Sequence, residues 1–269
     1  MRLLQHKAEA YWFYRVLSRV YDRWVNPLFW TPAMRATALG AAALDDRSLL
    51  TLDVGAGTGF TTEGIVEHVD PDRVTMLDQS PHQLARAERK PRLDRCTKLL
   101  GDAEQLPFPA DRFDRYVSAG SIEYWPNPQR AIAEAYRVLR AEGRAVVIGP
   151  VRPGNPLLRR VAETWMLFPT EQQYRDWFER SGFADVELIA VAPAWYRSPR
   201  GPYAVAVSGR KPAPGDSPLG LPPAAAPTVP AGRVRSSLRF AGGSLAGALF
   251  VPLAAALALR QRLQERRVR

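Results

Sequence analysis

Cysteine and histidine are scarce in this chain, and their scarcity excludes several kinds of site. Cys96 is the only cysteine, so no disulfide can form within the chain and a cysteine-based metal site is not expected. Only three histidines are present, which leaves few candidates for a general base. We therefore expect no metal centre, and we interpret the lone thiol as a small buried hydrophobe.

The N-terminus lacks an uninterrupted apolar run. Charged residues such as Lys7, Glu9 and Arg15 divide its hydrophobic residues. A secretory signal peptide needs a continuous apolar core, so none is predicted. A long Ser-rich, acid-poor extension is missing as well, so we expect no organellar transit peptide.

Acidic residues are outnumbered by basic ones, and the formal net charge is +10 with a pI near 10.1. This charge suits an acidic partner, either nucleic acid or an anionic lipid surface. The basic residues are densest at the C-terminal end, after an apolar stretch, which favours a membrane surface. A basic, aromatic strand face or a recognition motif for nucleic acid is missing, so no nucleic-acid partner is expected.

From about Leu49 the sequence alternates short β-rich runs with helical patterns, which is typical of a parallel sheet covered on both faces. Five strands are predicted over 49–54, 73–78, 97–101, 113–120 and 143–149, and a final antiparallel pair over 184–192 and 202–209. Helices are predicted over 61–69, 80–90, 128–143 and 171–183. The third crossover, 102–111, is too rich in Pro for a full helix. The pattern predicts a seven-stranded α/β domain over residues 45–210.

Three flanking regions differ in composition from this domain. Residues 1–44 are rich in aromatics and predict a helical cap, either an ordinary helical core or a lid over an apolar pocket. Residues 211–235 form a Pro-rich linker. Within residues 236–269, an uncharged stretch of twenty residues runs from Phe240 to Leu259. Twenty helical residues span about 30 Å, so we expect a single membrane helix with a basic tail. A buried helix and a helix lying in the interface stay open as alternatives.

A glycine-rich loop, LDVGAGTG, follows the first strand and opens the first helix of the domain. Glycines at Gly55, Gly57 and Gly59 permit a tight turn and let the backbone approach a ligand. The spacing differs from the dinucleotide fingerprint Gly-x-Gly-x-x-Gly, and no Walker lysine follows. Nicotinamide and ATP sites are therefore disfavoured.

Acidic residues stand at or near the ends of three successive strands: Asp53, Asp78 and Asp102. Each alone is typical of a turn. Together they lie at the edge where open α/β sheets bind ligands, with Asp78 suited to ribose hydroxyls and Asp102 to an adenine amino group. We therefore predict a bound S-adenosylmethionine. The residues expected to hold it are Asp53, Gly55, Ala56, Gly57, Thr58, Gly59, Asp78, Gln79, Asp102, Ala103 and Ser118.

The same residues carry a resemblance. The segments LDVGAGTG, MLDQS, GDAEQLPFP and VSAGSIEYWPNPQR look like those of class I methyltransferases, whose sheet is Rossmann-like. More narrowly, YDRWVNPLFWTPAMR, SAGSIEYWP, WMLFPTEQQYRDWF and WYR resemble the 2-methyl-6-phytyl-1,4-benzoquinol methyltransferases of tocopherol and plastoquinone synthesis. The likeness runs from about Tyr11 to the C-terminus and includes the linker and the terminal apolar stretch.

This resemblance implies methylation of a ring carbon on a prenylated benzoquinol by an enzyme held at a membrane. Class I enzymes place substrate-facing residues after strand four, so Glu123 is the best acceptor for a quinol proton, with a loop salt bridge or a cap as the alternative. Tyr14, Tyr21, Tyr124 and Trp125 are expected to wall an apolar ring pocket, although packing alone explains any one of them. The sequence leaves the oligomeric state unknown.

Other functions stay open at this point. The acceptor could instead be another membrane lipid, such as a sterol, a menaquinone-type quinol or a phospholipid amine. A non-catalytic, cofactor-binding membrane adaptor is a further alternative, which the intact glycine loop and three carboxylates disfavour. We expect a single-pass membrane protein with its catalytic domain on the cytoplasmic side, or in a plastid-type membrane in a photosynthetic eukaryote.

Overall fold

The structure is a computed structural model that describes residues 30–154, 156, 159–160, 166–196 and 201–220. Tyr14 and Tyr21, most of the predicted cap and the apolar stretch from Phe240 to Leu259 lie outside the described residues. Among the described residues, no helix is both long and apolar enough to cross a bilayer.

A seven-stranded sheet forms the centre of the described domain, as the sequence predicts. Its strands are β1 (Thr51–Val54), β2 (Val74–Asp78), β3 (Thr97–Leu100), β4 (Phe113–Ala119), β5 (Leu139–Pro150), β6 (Ala184–Val191) and β7 (Ala204–Arg210). The order across the sheet is β3-β2-β1-β4-β5-β7-β6. β1 to β5 pair in parallel, whereas β7 is antiparallel to both β5 and β6, which confirms the predicted final pair.

Among the described residues, five α-helices cover the sheet: α1 (Pro32–Gly40), α2 (Phe60–Ile65), α3 (Pro81–Ala87), α4 (Pro128–Val138) and α5 (Glu171–Arg180). Several begin at side-chain caps, as at α5, where Thr170 and Gln173 form a capping box. Short 3-10 turns lie at Pro71–Arg73, Pro91–Leu93 and Ile122–Tyr124.

Alternate residues of the central strands enter two separate cores, because side chains of a strand point to opposite faces. On one face, Leu52 and Val147 pack with residues of α4 and α5. On the other face, Val146 and Ile148 pack with residues of α1, α2 and α3. The domain is therefore a three-layer α/β/α structure with its sheet buried on both sides.

The predicted helix over 128–143 ends too late, which is a correction to the sequence analysis. α4 stops at Val138, and the residues that follow begin β5. Leu139 is fully buried and pairs with Phe113 of β4, while Glu142 adopts φ +64° and donates its amide to Lys211 O. Pairing with neighbouring strands outweighs the helical propensity of this segment.

The first residues after β7 pack against the domain. Because β7 is antiparallel, Lys211 lies at the amino ends of β4 and β5, which we call the amino edge of the sheet. Lys211 is fully buried, and its Nζ lies 2.8 Å from Asp111 Oδ1 and 2.7 Å from the carbonyl oxygens of Leu139 and Gly215. Ser217 Oγ donates to the Ser181 carbonyl at 2.9 Å. Part of the segment predicted as a linker is thus fixed to the domain.

Candidate functional site

The predicted site residues gather at the opposite edge of the sheet, where the parallel strands end. This carboxyl edge brings together the ends of β1, β2, β3 and β4, as their parallel registers require. Open α/β sheets bind ligands at this edge. The structure therefore places the glycine loop and the three strand-end aspartates on one side of the domain.

The glycine loop turns sharply between β1 and α2. Gly55, Gly57 and Gly59 all have φ between +57° and +86°, a region that favours glycine. A side chain at Gly55 would overlap the Cβ of Ser121, and one at Gly59 would overlap Leu93. A Cβ at Gly57 would meet only the Gly55 carbonyl oxygen, at 4.0 Å, so this part of the backbone is open to a ligand.

Two predicted residues of the loop, Ala56 and Thr58, are buried at 6% and 9% exposure. The amide of Ala56 donates to the Leu77 carbonyl at 3.2 Å, so the loop is tied to the end of β2. These residues fix the loop in place, whereas the half-buried Gly57 has open space where a side chain would stand.

Asp78 closes the other side of the loop. Its Oδ2 accepts from the Gly57 amide at 2.9 Å and its Oδ1 from the Ser80 amide at 2.8 Å. Burial raises the pKa of this carboxyl, although hydrogen bonds from Ser80 and Gly57 oppose the rise. A carboxylate has about four lone-pair sites, so each oxygen can still accept a ligand hydroxyl. Gln79, beside it, is exposed.

Asp53 lies beneath the loop, fully buried. Its Oδ2 accepts from Thr62 Oγ1 at 2.6 Å, whereas its Oδ1 is buried without a donor among the described residues. Burial raises the pKa of Asp53 to about 7, and the nearby charge of Asp78 adds to the rise. An unpaired buried acceptor calls for a ligand or water donor.

Asp102 and Ala103 follow β3. Asp102 Oδ1 accepts from the Glu104 amide at 2.9 Å, and a short bridge joins Asp102 to Gln105. Ala103 is buried at 9% exposure. The two residues stand next along the carboxyl edge from Asp78, which is the arrangement that the sequence predicts.

The segment after β4 packs against the glycine loop through Ser121; we call residues 120–127 the β4–α4 loop. Ser118, at the end of β4, is fully buried and its hydroxyl lies 2.7 Å from that of Ser121. Gly120 has φ +64° and donates its amide to Ile148 O at 3.0 Å. Ser118 therefore supports Ser121, which in turn packs against Gly55.

Glu123 is the acidic residue of this loop. Its Oε2 is buried and has no hydrogen-bond partner in the part of the chain that the structure describes. Burial raises the pKa of Glu123 to about 7. A salt bridge of Glu123 is not seen among the described residues, and its carboxyl accepts a hydrogen bond from the backbone amide of Glu123 itself.

Tyr124 and Trp125, which follow Glu123, are each buried at 8% exposure. Trp125 belongs to the hydrophobic core on the α4 and α5 face. Packing is thus a major role of Trp125. Tyr14 and Tyr21, the other two residues expected in a ring pocket, lie outside the described residues.

These residues fit the cofactor that the sequence predicts. The loop offers open backbone at Gly57, and unpaired or half-used acceptor oxygens stand at Asp53 and Asp78. S-adenosylmethionine carries an ammonium group, ribose hydroxyls and an adenine amino group, which are the donors that such acceptors lack. Among the described residues, no group of three His, Cys, Asp or Glu side chains is arranged to hold a metal ion.

Three residues of this edge escaped the sequence analysis: Thr62, which pairs with Asp53; Ser121, which packs against Gly55; and Glu104, which contacts Asp102. A signal for Ser121 exists, since it follows a glycine at the end of β4. Thr62 lies in the first turn of α2, where a hydroxyl residue forms no distinctive sequence pattern.

Comparison with known proteins identifies the family. Residues 52–147 match the family described as methyltransferase domain. The chain is 57% identical over 225 residues to the chloroplastic 2-methyl-6-phytyl-1,4-hydroquinone methyltransferase of Spinacia oleracea, covering 82% of this chain and 65% of that protein. It is 54% identical over 255 residues to the protein of the same name in Arabidopsis thaliana, covering 93% of this chain and 75% of that protein.

Solved structures agree on the fold. An S-adenosylmethionine-dependent methyltransferase from Mesorhizobium loti superimposes with a TM-score of 0.54 at 21% identity, covering 67% of this chain and 96% of that one. The seven-stranded, Rossmann-like fold of class I methyltransferases is thereby confirmed. The chain belongs to the family of 2-methyl-6-phytyl-1,4-hydroquinone methyltransferases and is an S-adenosylmethionine-dependent methyltransferase.

Proposed function

We propose that this protein transfers a methyl group to a ring carbon of a prenylated benzoquinol. The observation that carries the proposal is Glu123, whose Oε2 is buried without a hydrogen-bond partner among the described residues. Glu123 lies two residues after Ser121, the residue that packs against Gly55 of the glycine loop. A quinol hydroxyl is a donor that this carboxylate lacks. The names of the relatives, which act on a prenylated hydroquinone, support the same substrate class.

The cofactor is proposed to rest on the open backbone at Gly57, with Asp78 toward the ribose and Asp102 with Ala103 toward the adenine. S-adenosylmethionine supplies an electrophilic methyl group on its sulfonium sulfur. The protein's own task is to align the ring and to keep water from it.

Glu123 is proposed to accept the proton of the quinol hydroxyl. Loss of this proton raises the electron density of the ring carbons beside and opposite the oxygen, which makes them nucleophilic. A pKa of about 7 suits this exchange, because the carboxylate is then available near neutral pH and still holds the proton it receives. Transfer of the methyl group leaves the sulfur as a neutral thioether. The methylated ring carbon then loses its proton to water as the ring regains aromaticity, and protonated Glu123 returns its proton to the ring oxygen.

The experiment that tests this function uses membranes containing the full chain, methyl-labelled S-adenosylmethionine and a panel of prenylated benzoquinols. The label is then located in the product by mass spectrometry and NMR. We expect label on a ring carbon. Label on phospholipid, sterol or a menaquinone-type quinol alone would reject the proposed substrate, and tight cofactor binding with no turnover on any lipid would favour the adaptor.

We also propose that residues 236–269 hold the enzyme at a membrane. The support is the sequence: twenty uncharged residues from Phe240 to Leu259, flanked by arginines on both sides. Tethering would concentrate the enzyme around a substrate that dissolves in the bilayer. Deleting residues 239–269 should release the protein from sedimented membranes, and continued sedimentation would contradict the anchor.

A further inference from the structure

Glu104 connects two parts of the carboxyl edge that are distant in sequence. It lies two residues after Asp102, in the connection between β3 and β4, and its side chain is buried at 9% exposure. Its amide donates to Asp102 Oδ1 at 2.9 Å. The backbone of Glu104 therefore holds the carboxylate that we assign to the adenine end of the cofactor site.

The side chain of Glu104 reaches the end of the β4–α4 loop. Its Oε1 accepts from the Asn127 amide at 2.7 Å, and Asn127 is the N-cap of α4. Its carbonyl oxygen accepts from Arg130 Nε at 2.8 Å, one turn further along the chain. A single residue thus fastens the cofactor side of the edge to the loop that carries Glu123.

The bond to Asn127 is strong for its kind. An ionised acceptor with a donor at this distance makes a charge-assisted hydrogen bond, and the negative charge stands at the N-terminus of a helix. Replacing Glu104 by an apolar side chain would leave the Asn127 amide without this acceptor. The β4–α4 loop would then lose its attachment at the end nearest α4.

Glu134 offers a matched comparison on the same connection. Its Oε2 accepts from the Leu106 amide at 2.7 Å, and its carboxylate is paired with Arg137 at 2.8 Å. Glu134 also anchors the β3–β4 connection to α4, with a carboxylate and a backbone amide. Within the described part of the chain, the hydrogen bonds of its carboxylate reach Leu106 and Arg137, not the β4–α4 loop.

We propose that Glu104 is a positioning residue for methyl transfer: it holds the β4–α4 loop, and with it Glu123, against the adenine end of the cofactor site. The assignment of the reaction rests on the proposed function, whereas the contacts of Glu104 do not. A loosened loop would let water reach the Glu123 carboxyl, and the proton exchange with substrate would shift to lower pH.

The first test is hydrogen exchange, which needs no substrate. Peptides covering residues 120–127 are followed by mass spectrometry in the full chain and in the variants Glu104→Met, Glu104→Gln and Glu134→Ala. Methionine keeps the volume without the acceptor, and glutamine keeps the acceptor. In Glu104→Met we expect the amides of this loop to exchange faster than in the wild type. In Glu104→Gln we expect near-native exchange. In Glu134→Ala we expect faster exchange around Leu106 and unchanged exchange in the loop.

The second test is the pH dependence of kcat. We expect about a tenfold loss of kcat in Glu104→Met, a cofactor KM changed by less than about threefold, and an acid limb that moves to lower pH. Glu104→Gln should keep both kcat and the pH of the acid limb near their wild-type values. A loss of thermal stability with an unmoved acid limb and native loop exchange would overturn the proposal.

Two remaining outcomes are also decisive. If Glu104→Met and Glu104→Ala both fail to fold while Glu134→Ala folds, Glu104 acts in stability and the positioning role is rejected. If the wild-type enzyme methylates none of the prenylated hydroquinones, the proposed substrate fails, and loop exchange alone decides whether Glu104 holds the loop.

Discussion

The two edges of the sheet treat buried charge in opposite ways. At the carboxyl edge, Asp53 Oδ1 and Glu123 Oε2 are buried without a hydrogen-bond partner among the described residues. At the amino edge, the ammonium of Lys211 is fully buried but contacts Asp111 and the carbonyl oxygens of Leu139 and Gly215 within 2.8 Å. The carboxyl edge thus has unpaired acceptor oxygens, whereas the ammonium group at the amino edge has hydrogen-bond acceptors around it.

Buried polar atoms in folded proteins are normally paired, so unpaired ones mark either a ligand site or an ordered water. The contrast indicates that the carboxyl edge binds a ligand with hydrogen-bond donors, whereas the amino edge stabilises the fold. Substitutions at the first should change binding and turnover, and substitutions at the second should change the free energy of unfolding.

The largest effect is expected for Glu123→Gln, which removes the proposed proton acceptor and keeps the shape of the side chain. The kcat for a prenylated hydroquinone should fall by about 100-fold or more, which is typical for loss of a general base. Affinity for the cofactor, measured by calorimetry, should stay unchanged within about twofold. Retention of most of the kcat would show that another group takes the proton.

Next in size is Lys211→Met at the amino edge. Loss of the cation removes the Lys211 donor from Asp111 and from the carbonyl oxygens of Leu139 and Gly215, although Asp111 keeps its bond from the Gly215 amide. We expect about 3 kcal/mol less free energy of unfolding. The kcat of the folded enzyme should be unchanged. Denaturant titration measures the first quantity, and an assay well below the melting temperature measures the second.

The neighbouring Arg210 serves as the control for Lys211→Met. Arg210 is paired with Glu142 at 2.8 Å and Asp185 at 2.7 Å on the surface, so Arg210→Gln should change stability far less. An equal loss in both variants would mean that burial of Lys211 adds nothing to the amino edge.

A smaller effect concerns the pH dependence of stability. The pKa of Glu123 is about 7 in the folded protein against an ordinary 4.5, so the folded state retains a proton that the unfolded chain releases. The contribution of this group is complete below pH 4.5 and is lost as pH rises to 7, an effect of about 2 kcal/mol for a partly exposed residue. Glu123→Gln should remove it, so the difference between the two proteins isolates Glu123 from Asp53. Parallel stability curves would contradict the raised pKa.

The smallest expected effect belongs to Asp78→Asn. The amide side chain has one acceptor oxygen, so either Gly57 or Ser80 loses its bond and one ribose contact is lost as well. Cofactor affinity should fall by roughly tenfold, since hydrogen bonds to charged groups are worth about 1.5 kcal/mol or more. Asp70→Asn, before the other end of β2, is the matched control, and it should leave cofactor affinity unchanged.

Much of the cofactor side could be predicted from the sequence because its signals are local. The glycine loop and Asp78 stand at the ends of strands whose apolar runs are easily seen, and parallel pairing alone brings them together. The seven strands and the final antiparallel pair follow from the same alternation of helices and strands. The order of the strands across the sheet was not predicted and comes from the structure.

The remaining features depend on partners that are far apart in the chain. The predicted end of α4 was wrong because the residues after Val138 pair with β4 and β7. No local sequence pattern indicates this pairing. Lys211 lies 100 positions from Asp111, and Glu104 lies 23 positions from Asn127. Contacts of this kind appear only when the sheet is assembled.

The most direct test of the contrast between the two edges is the titration of the Glu123 carboxyl, followed by NMR in protein labelled with ¹³C at glutamate. We predict one carboxyl resonance that titrates near pH 7, is missing in Glu123→Gln, and changes when a prenylated hydroquinone is added. Titration of every glutamate near the ordinary value of 4.5 would contradict the account, because the carboxyl edge would then hold no carboxylate reserved for the substrate proton.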